Sequence, residues 1–148
     1  MSSGSSRAIR IAAQSAFVST GYLRVGLSGD YGIAWLLTRL VGTARARELM
    51  FTAERVDAAR CERIGLVNRV VPDDKLQEEA FALAKNMAGG PGLALRYMKD
   101  NLDEALLFDF ATARDHEAER LIRLTTTADH KEAVQAFIEK RKPVFKAG

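Results

Sequence analysis

The chain has 148 residues, 47% of them hydrophobic and 28% charged, which suits a globular domain with a core of its own and excludes a disordered segment. Its formal charge of +3 comes from 22 basic and 19 acidic residues spread along the sequence, so it carries no clustered basic footprint for nucleic acid. The single cysteine, Cys61, excludes an internal disulfide and points to a reducing compartment, and no apolar run reaches the length of a membrane span.

Residues 1–8 read as a flexible tail, although the acid-free first 29 residues, with Arg7, Arg10 and Arg24 among many serines, also have the composition of a transit peptide. From Ile9 the short apolar runs Ile9-Arg10-Ile11-Ala12-Ala13 and Phe17-Val18 fit buried strands. Glycines at 21, 26, 29 and 32 then mark a loop that leads into a mostly buried helix, Ile33 to Val41, stopped at Gly42. Thr43 is placed to cap a helix from Ala44 to about Phe51, and Asp57 one from Ala58 to about Ile64, with Gly65 in the left-handed position after it. A strand over Leu66 to Val71 ends at Pro72, and Asp73 or Asp74 opens a helix with Leu76, Ala80, Leu83, Ala84 and Met87 on its apolar face.

Gly89-Gly90-Pro91-Gly92 breaks that helix. A helix from Leu93 to Asp100 and a longer one from Leu102 to Leu124 are expected to complete the core through Leu102, Leu106, Phe110, Ala113, Leu121 and Leu124, with Glu117 interrupting the stripe. Asp129 and Glu132 have the spacing of a capping box ahead of a last helix to about Lys140. The sum is a helix-rich α/β chain, roughly seven helices with two or three short strands, divided at residues 9–90 and 91–148.

Residue spacing alone points to little chemistry. His116 and His130 lie on separate helices with no ligand partner at metal spacing and read as surface residues, so no metal site is expected. No phosphate-binding GxxxxGK[ST] loop, dinucleotide GxGxxG or GxSxG nucleophile elbow is present.

A longer pattern is more informative. Leu49-Met50-Phe51-Thr52-Ala53-Glu54-Arg55-Val56-Asp57-Ala58, followed after a short helix by Gly65-Leu66-Val67-Asn68-Arg69-Val70-Val71-Pro72, resembles a string of the enoyl-CoA hydratase/isomerase (crotonase) family. There it reads apolar-apolar-x-Thr-Gly-x-x-apolar-x-Ala and then Gly-Leu-Val-x-x-Val-x-Pro. Leu40 to Ala46, Pro91 to Lys99 and the terminus Ala136-Phe137-Ile138-Glu139-Lys140-Arg141-Lys142-Pro143-Val144-Phe145 are similar to further segments of that family. The resemblance covers nearly the whole chain from Arg10.

It implies the second half of a ClpP/crotonase-like spiral core over residues 9–90 and a C-terminal helical trimerisation region over 91–148. It also implies an acyl-CoA thioester as substrate, no other cofactor, a homotrimer or dimer of trimers, and a cytoplasmic or mitochondrial-matrix location; no nucleic-acid or membrane partner is expected from the spread charge and the lack of a long apolar run, although a branch of the family binds RNA. In the family both oxyanion-hole N–H groups come from the preceding half, and losing one such donor costs ~10²–10³ in rate, so the chain alone is expected to be weak or silent.

Asp30, in Val25-Gly26-Leu27-Ser28-Gly29-Asp30-Tyr31-Gly32, resembles the aspartate of branches that use it as proton shuttle or nucleophile; capping the helix that begins near Tyr31 is the other use of such an aspartate. The hydratase glutamate that follows Phe-Gly-x-Pro has no counterpart in Phe17 to Tyr22, and Ser28-Gly29 and Ile33 replace a usual proline turn and glycine. Phe137 and Lys140 match family positions that meet the CoA adenine and ribose phosphate from a neighbouring subunit, against plain readings as a core residue and a solvated charge. Tyr31 and Trp35 are candidates for the acyl pocket or for packing. Glu117, on an apolar stripe, is expected to be structural and to need a partner.

Overall fold

The computed structural model describes residues 9–145; the tail expected over residues 1–8 lies outside them. The described residues fall into two compact units that divide between Ala82 and Leu83.

In the first unit, β1 (Ile11–Ala13) pairs in parallel with β4 (Arg69–Val71), Ile11 opposite Arg69 and Ala13 opposite Val71. β2 (Phe17–Val18) pairs antiparallel with β3 (Val56–Asp57). The strands at Ile11 and Phe17 form as the sequence predicts, yet β1 is only half-buried and both residues of β2 are exposed. Arg10 extends the first pairing: its backbone exchanges hydrogen bonds with Asn68, and its Nε donates to the Leu66 carbonyl at 2.6 Å. That contact uses part of the stretch predicted as strand, so β4 is limited to Arg69–Val71.

α1 (Ile33–Thr52) is two helical segments joined at Gly42, whose φ 79° and ψ 164° interrupt the helix where the sequence stops it. The first segment is not mostly buried. Leu37 and Val41 are buried, one turn apart, while Trp35, Leu36 and Leu40 are exposed. The core gathers those two with Ala46, Leu49, Val56, Cys61 and Leu66, and Ile33, Met50, Ile64 and Val67 pack against it. α2 (Ala58–Arg63) begins as expected, with the Asp57 carboxylate accepting from the Arg60 amide at 2.7 Å. It ends in a Schellman motif: Gly65 takes φ 79°, its N–H donates to Glu62 and the Leu66 N–H to Cys61. The cysteine is buried inside this core and its thiol is pushed up by desolvation, with the Asp57 charge a lesser cause.

The α3 helix (Leu76–Ala88) is preceded by a 3₁₀ turn, Asp73–Lys75, with no side-chain cap. Asp73 accepts instead from the Ser15 amide at 2.9 Å, an acceptor role that holds its carboxyl below the usual range.

In the second unit the helix break falls later than expected. α4 (Gly92–Glu104) runs through Leu102, and α5 (Phe110–Thr125) begins after Asp109, whose carboxylate accepts from both the amide and the hydroxyl of Thr112. The stripe expected to finish the core does not: Leu102, Leu106, Phe110 and Leu121 are exposed. Glu117 is exposed too and needs no partner. Glu104 ties α4 to α5, accepting from Arg120 and lying 2.9 Å from His116 Nδ1, which makes His116 half-buried rather than a free surface residue.

The last helix, α6 (Ala128–Ile138), is capped by Thr127, which accepts from the His130 amide. Thr127 therefore displaces the expected Asp129 cap, and Glu132, freed from a capping box, takes Arg141 in a bidentate pair and the Val144 amide. No helix among the described residues is long and apolar enough to cross a membrane.

Candidate functional site

The glycine loop that enters α1 is built on the end of that same helix. The last carbonyls of a helix have no partner within it. Here Thr20 Oγ1 donates to the Leu49 carbonyl at 3.0 Å, Ser19 Oγ to Ala53 at 3.0 Å and Arg24 Nη2 to Ala53 at 2.8 Å. These three side chains flank Tyr22, which opens a 3₁₀ turn, Tyr22–Val25, closed by Gly26 in the left-handed conformation. The Gly26 N–H donates to Leu23 and the Leu27 N–H back to Tyr22.

Beyond the turn the chain folds back so that Asp30 meets Tyr22. Gly29 makes this possible: at φ 122° no L side chain sits comfortably, and a Cβ would lie 2.9 Å from Ile33 Cγ2. Tyr31 follows with φ 45° and Gly32 with φ 75°. A bulky residue in the left-handed region stores strain, and such outliers gather at functional sites. Gly32, with no side-chain cap, precedes the helix, and the Asp30 carbonyl accepts from the Ile33 amide at 2.9 Å.

The Asp30 side chain does not cap the helix. Its Oδ1 accepts from the Tyr22 hydroxyl, and that bond raises the Tyr22 phenol above its ordinary value, with desolvation and the Asp30 charge acting in the same direction. The carboxylate remains exposed. A base that is held in place and reachable from outside has the geometry needed to exchange a proton with a bound substrate.

Tyr31 is 96% exposed, so packing does not explain it. Trp35 is 45% exposed, with the Arg39 guanidinium 3.6 Å from its ring centroid, one turn further along α1. Asp30, Tyr31 and Trp35 thus share the entry to α1.

Phe137 and Lys140 share a second location, the end of α6. Phe137 is 85% exposed, which rules out a core role. Lys140 lies beyond the helix at φ 54°, its N–H donating to Phe137 and the Arg141 N–H to Ala136, a Schellman motif with lysine where glycine is usual. Among the described residues Lys140 makes no ion pair, whereas Arg141 is held by Glu132 and Glu139. A cavity of about 170 Å³ in the second unit, lined by Leu93, Leu121, Leu124 and Phe145 among others, includes none of the candidate residues. No cluster of metal-binding side chains occurs among the described residues.

Sequence reasoning missed Tyr22, and with it the Ser19, Thr20 and Arg24 clamp. The only signal was an aromatic residue between two glycines, Gly21 and Gly26, which spacing rules do not read as a partner for a carboxylate eight residues away.

The family model for enoyl-CoA hydratase/isomerase matches residues 7–148. A short-chain-enoyl-CoA hydratase of Clostridioides difficile is 40% identical over 129 residues, covering 87% of this chain and 83% of that protein. A crotonyl-CoA hydratase of Syntrophomonas wolfei is 35% identical over 136 residues, covering 92% of this chain and 52% of that protein. The crystal structure of an enoyl-CoA hydratase from Bacillus anthracis superposes with a TM-score of 0.90 at 33% identity, covering 95% of this chain and 55% of that one. The chain spans about half the length of the latter two proteins. At that identity and TM-score the expected helix-rich α/β fold of the crotonase type is borne out.

Proposed function

The chain belongs to the enoyl-CoA hydratase/isomerase family, and from that premise we propose that it contributes the acid/base side of an acyl-CoA hydratase or double-bond isomerase. The observation that carries this reading is the Asp30 carboxylate, held by Tyr22 in a strained glycine loop and open to the exterior. In an isomerisation Asp30 removes the proton from the carbon next to the thioester carbonyl of a 3-enoyl-CoA and returns it to the γ carbon as the double bond moves. Negative charge passes through the carbonyl oxygen, which needs N–H donors that the family resemblance assigns to the preceding half. Hydration places water's oxygen on the β carbon and a proton on the α carbon.

Water addition in the family's manner uses two carboxylates, and Tyr22 with Asp30 offers one. This favours the isomerase reaction; the names of the relatives favour the hydratase. Tyr31 and Trp35 are proposed to border the acyl chain. Phe137 and Lys140 are proposed to meet the adenine and the ribose phosphate, Lys140 as a point charge. Assembly into a trimer through the second unit belongs to the same reading.

The alternative is a catalytically silent assembly module, favoured by the exposed apolar faces of α4 and α5. Turnover of crotonyl-CoA and of a 3-enoyl-CoA separates the two readings. It is to be measured for this chain alone and joined to the other half of a full-length relative. Turnover that appears on joining supports the enzyme reading, and a chimera that folds and assembles yet stays silent supports the module.

A further inference from the structure

We propose that Tyr22 is a positioning residue for Asp30: its hydroxyl donates to Oδ1, fixes the plane of the carboxylate, and leaves Oδ2 as the oxygen that exchanges a proton. The inference rests on the reading of Asp30 as the base, and it assigns a role to a side chain that the family resemblance does not.

Three observations on separate residues converge on it. The first is the hydrogen bond itself, which joins residues eight apart across the glycine loop and so defines the loop's closure. A carboxylate on a surface loop otherwise samples several rotamers, and proton transfer requires the accepting oxygen within a few tenths of an ångström of its place. The second is the foundation under Tyr22. Ser19, Thr20 and Arg24 bind the carbonyls of Leu49 and Ala53 at 3.0 Å or less, on both sides of the tyrosine, so the phenol is referred to the rigid end of α1 rather than to the loop. The third is that the loop takes a backbone conformation open to glycine at Gly29 and a left-handed one at Tyr31 to bring Asp30 onto the phenol. A helix cap would have required none of this, and the side chain makes no cap.

The arrangement also divides the labour between the two acceptor oxygens. A phenol has one proton to donate. With Oδ1 engaged, the remaining lone pairs for a substrate proton are chiefly those of Oδ2. The titratable groups that act on Tyr22 are Asp30 and Tyr31, and Asp30 dominates.

The test uses this chain labelled with ¹³C at the tyrosine ring carbon that bears oxygen and at the aspartate side chain. In the parent chain the Tyr22 resonance is expected to titrate above the ordinary tyrosine range and to move down toward it in Asp30→Asn. Asp30 scalar couplings are expected to report one χ1 rotamer in the parent and rotamer averaging in Tyr22→Phe, which keeps the ring and removes only the hydroxyl. A Tyr22 titration that ignores Asp30→Asn, or Asp30 couplings unchanged in Tyr22→Phe, overturns the proposal.

A kinetic arm uses the chimera described above. Tyr22→Phe is expected to lower kcat about tenfold or more with KM unchanged, the signature of lost orientation rather than lost binding. Full kcat in Tyr22→Phe overturns positioning even if the couplings change. Full kcat in Asp30→Asn instead removes the base reading, and the NMR arm then describes a structural contact only.

Discussion

The two units of the chain are held by different forces. Among the described residues, every buried apolar side chain except Ala136 lies in the first unit, where Leu37, Val41, Leu49, Val56, Cys61 and Leu66 form one cluster. The second unit has helices of regular length with caps at Asp109 and Thr127, and its strongest contacts are charge-assisted: Glu104 with Arg120 and His116, and Glu132 with Arg141. Many of its large apolar side chains, Leu102, Leu106, Phe110 and Leu121 among them, remain exposed. The comparison teaches that amphipathic spacing identifies a face, not what covers it. A unit can spell out a core stripe in sequence while its own residues leave that stripe exposed.

The largest expected effect breaks the comparison directly. Leu49→Ala removes a side chain that is 4% exposed inside the cluster and is expected to cost about 2–5 kcal/mol. Leu102→Ala, at a side chain 70% exposed in the other unit, is expected to change stability by no more than about 0.5 kcal/mol. Urea unfolding followed by hydrogen exchange in each unit measures both. Equal losses would show that α4 is covered as well as α1.

Backbone changes are expected to be smaller and opposite in sign. Gly65→Ala places a Cβ at φ 79°, 3.4 Å from the Leu40 carbonyl, and is expected to destabilise by about 1–2 kcal/mol. Lys140→Gly relieves a left-handed lysine and is expected to stabilise by up to about 1 kcal/mol; under the role proposed for Lys140 it also weakens CoA binding to the chimera. Thermal unfolding and CoA titration separate those consequences. A Lys140→Gly variant with unchanged CoA affinity would return Lys140 to a solvated charge.

Acid gives the finest distinction. Arg120 and then His116 hold the Glu104 carboxyl at about 2, below its ordinary 4.5, and Arg141 with the Val144 amide does the same for Glu132. A carboxyl depressed on folding contributes stability that is fully present above its unfolded value and lost as pH falls through its folded value. The second unit is therefore expected to loosen between about pH 4.5 and 2, and to respond to salt, before the first unit yields. Native-state exchange against pH follows this, with labelling of buried Cys61 as the probe of the first unit. Cys61 labelling that precedes loosening of α4 and α5 would reverse the order.

Local signals carried much of the fold. Asp57 caps, Gly65 closes, Gly42 interrupts and Gly89 to Gly92 separates helices where the sequence places them, because each acts through its own backbone or a neighbour within a turn. The errors came from competition. Asp109 starts a new helix inside a stretch that pattern alone reads as one, Thr127 took the cap that the spacing assigned to Asp129, Asp73 reached across to Ser15, and Glu132 preferred Arg141 to its own helix start. Asp30 was legible through family resemblance, but Tyr22 was not, since the bond between them depends on the loop closing over Gly29 and on a clamp to carbonyls about thirty residues away.

Under the proposed function, Asp30 supplies the proton-transferring base of an acyl-CoA enzyme. The most direct test of that claim is the turnover of a 3-enoyl-CoA by the chimera with and without Asp30→Asn, at matched folding and assembly. A loss of about 10²–10⁴ in kcat is predicted. Full turnover by the Asp30→Asn enzyme would contradict the claim.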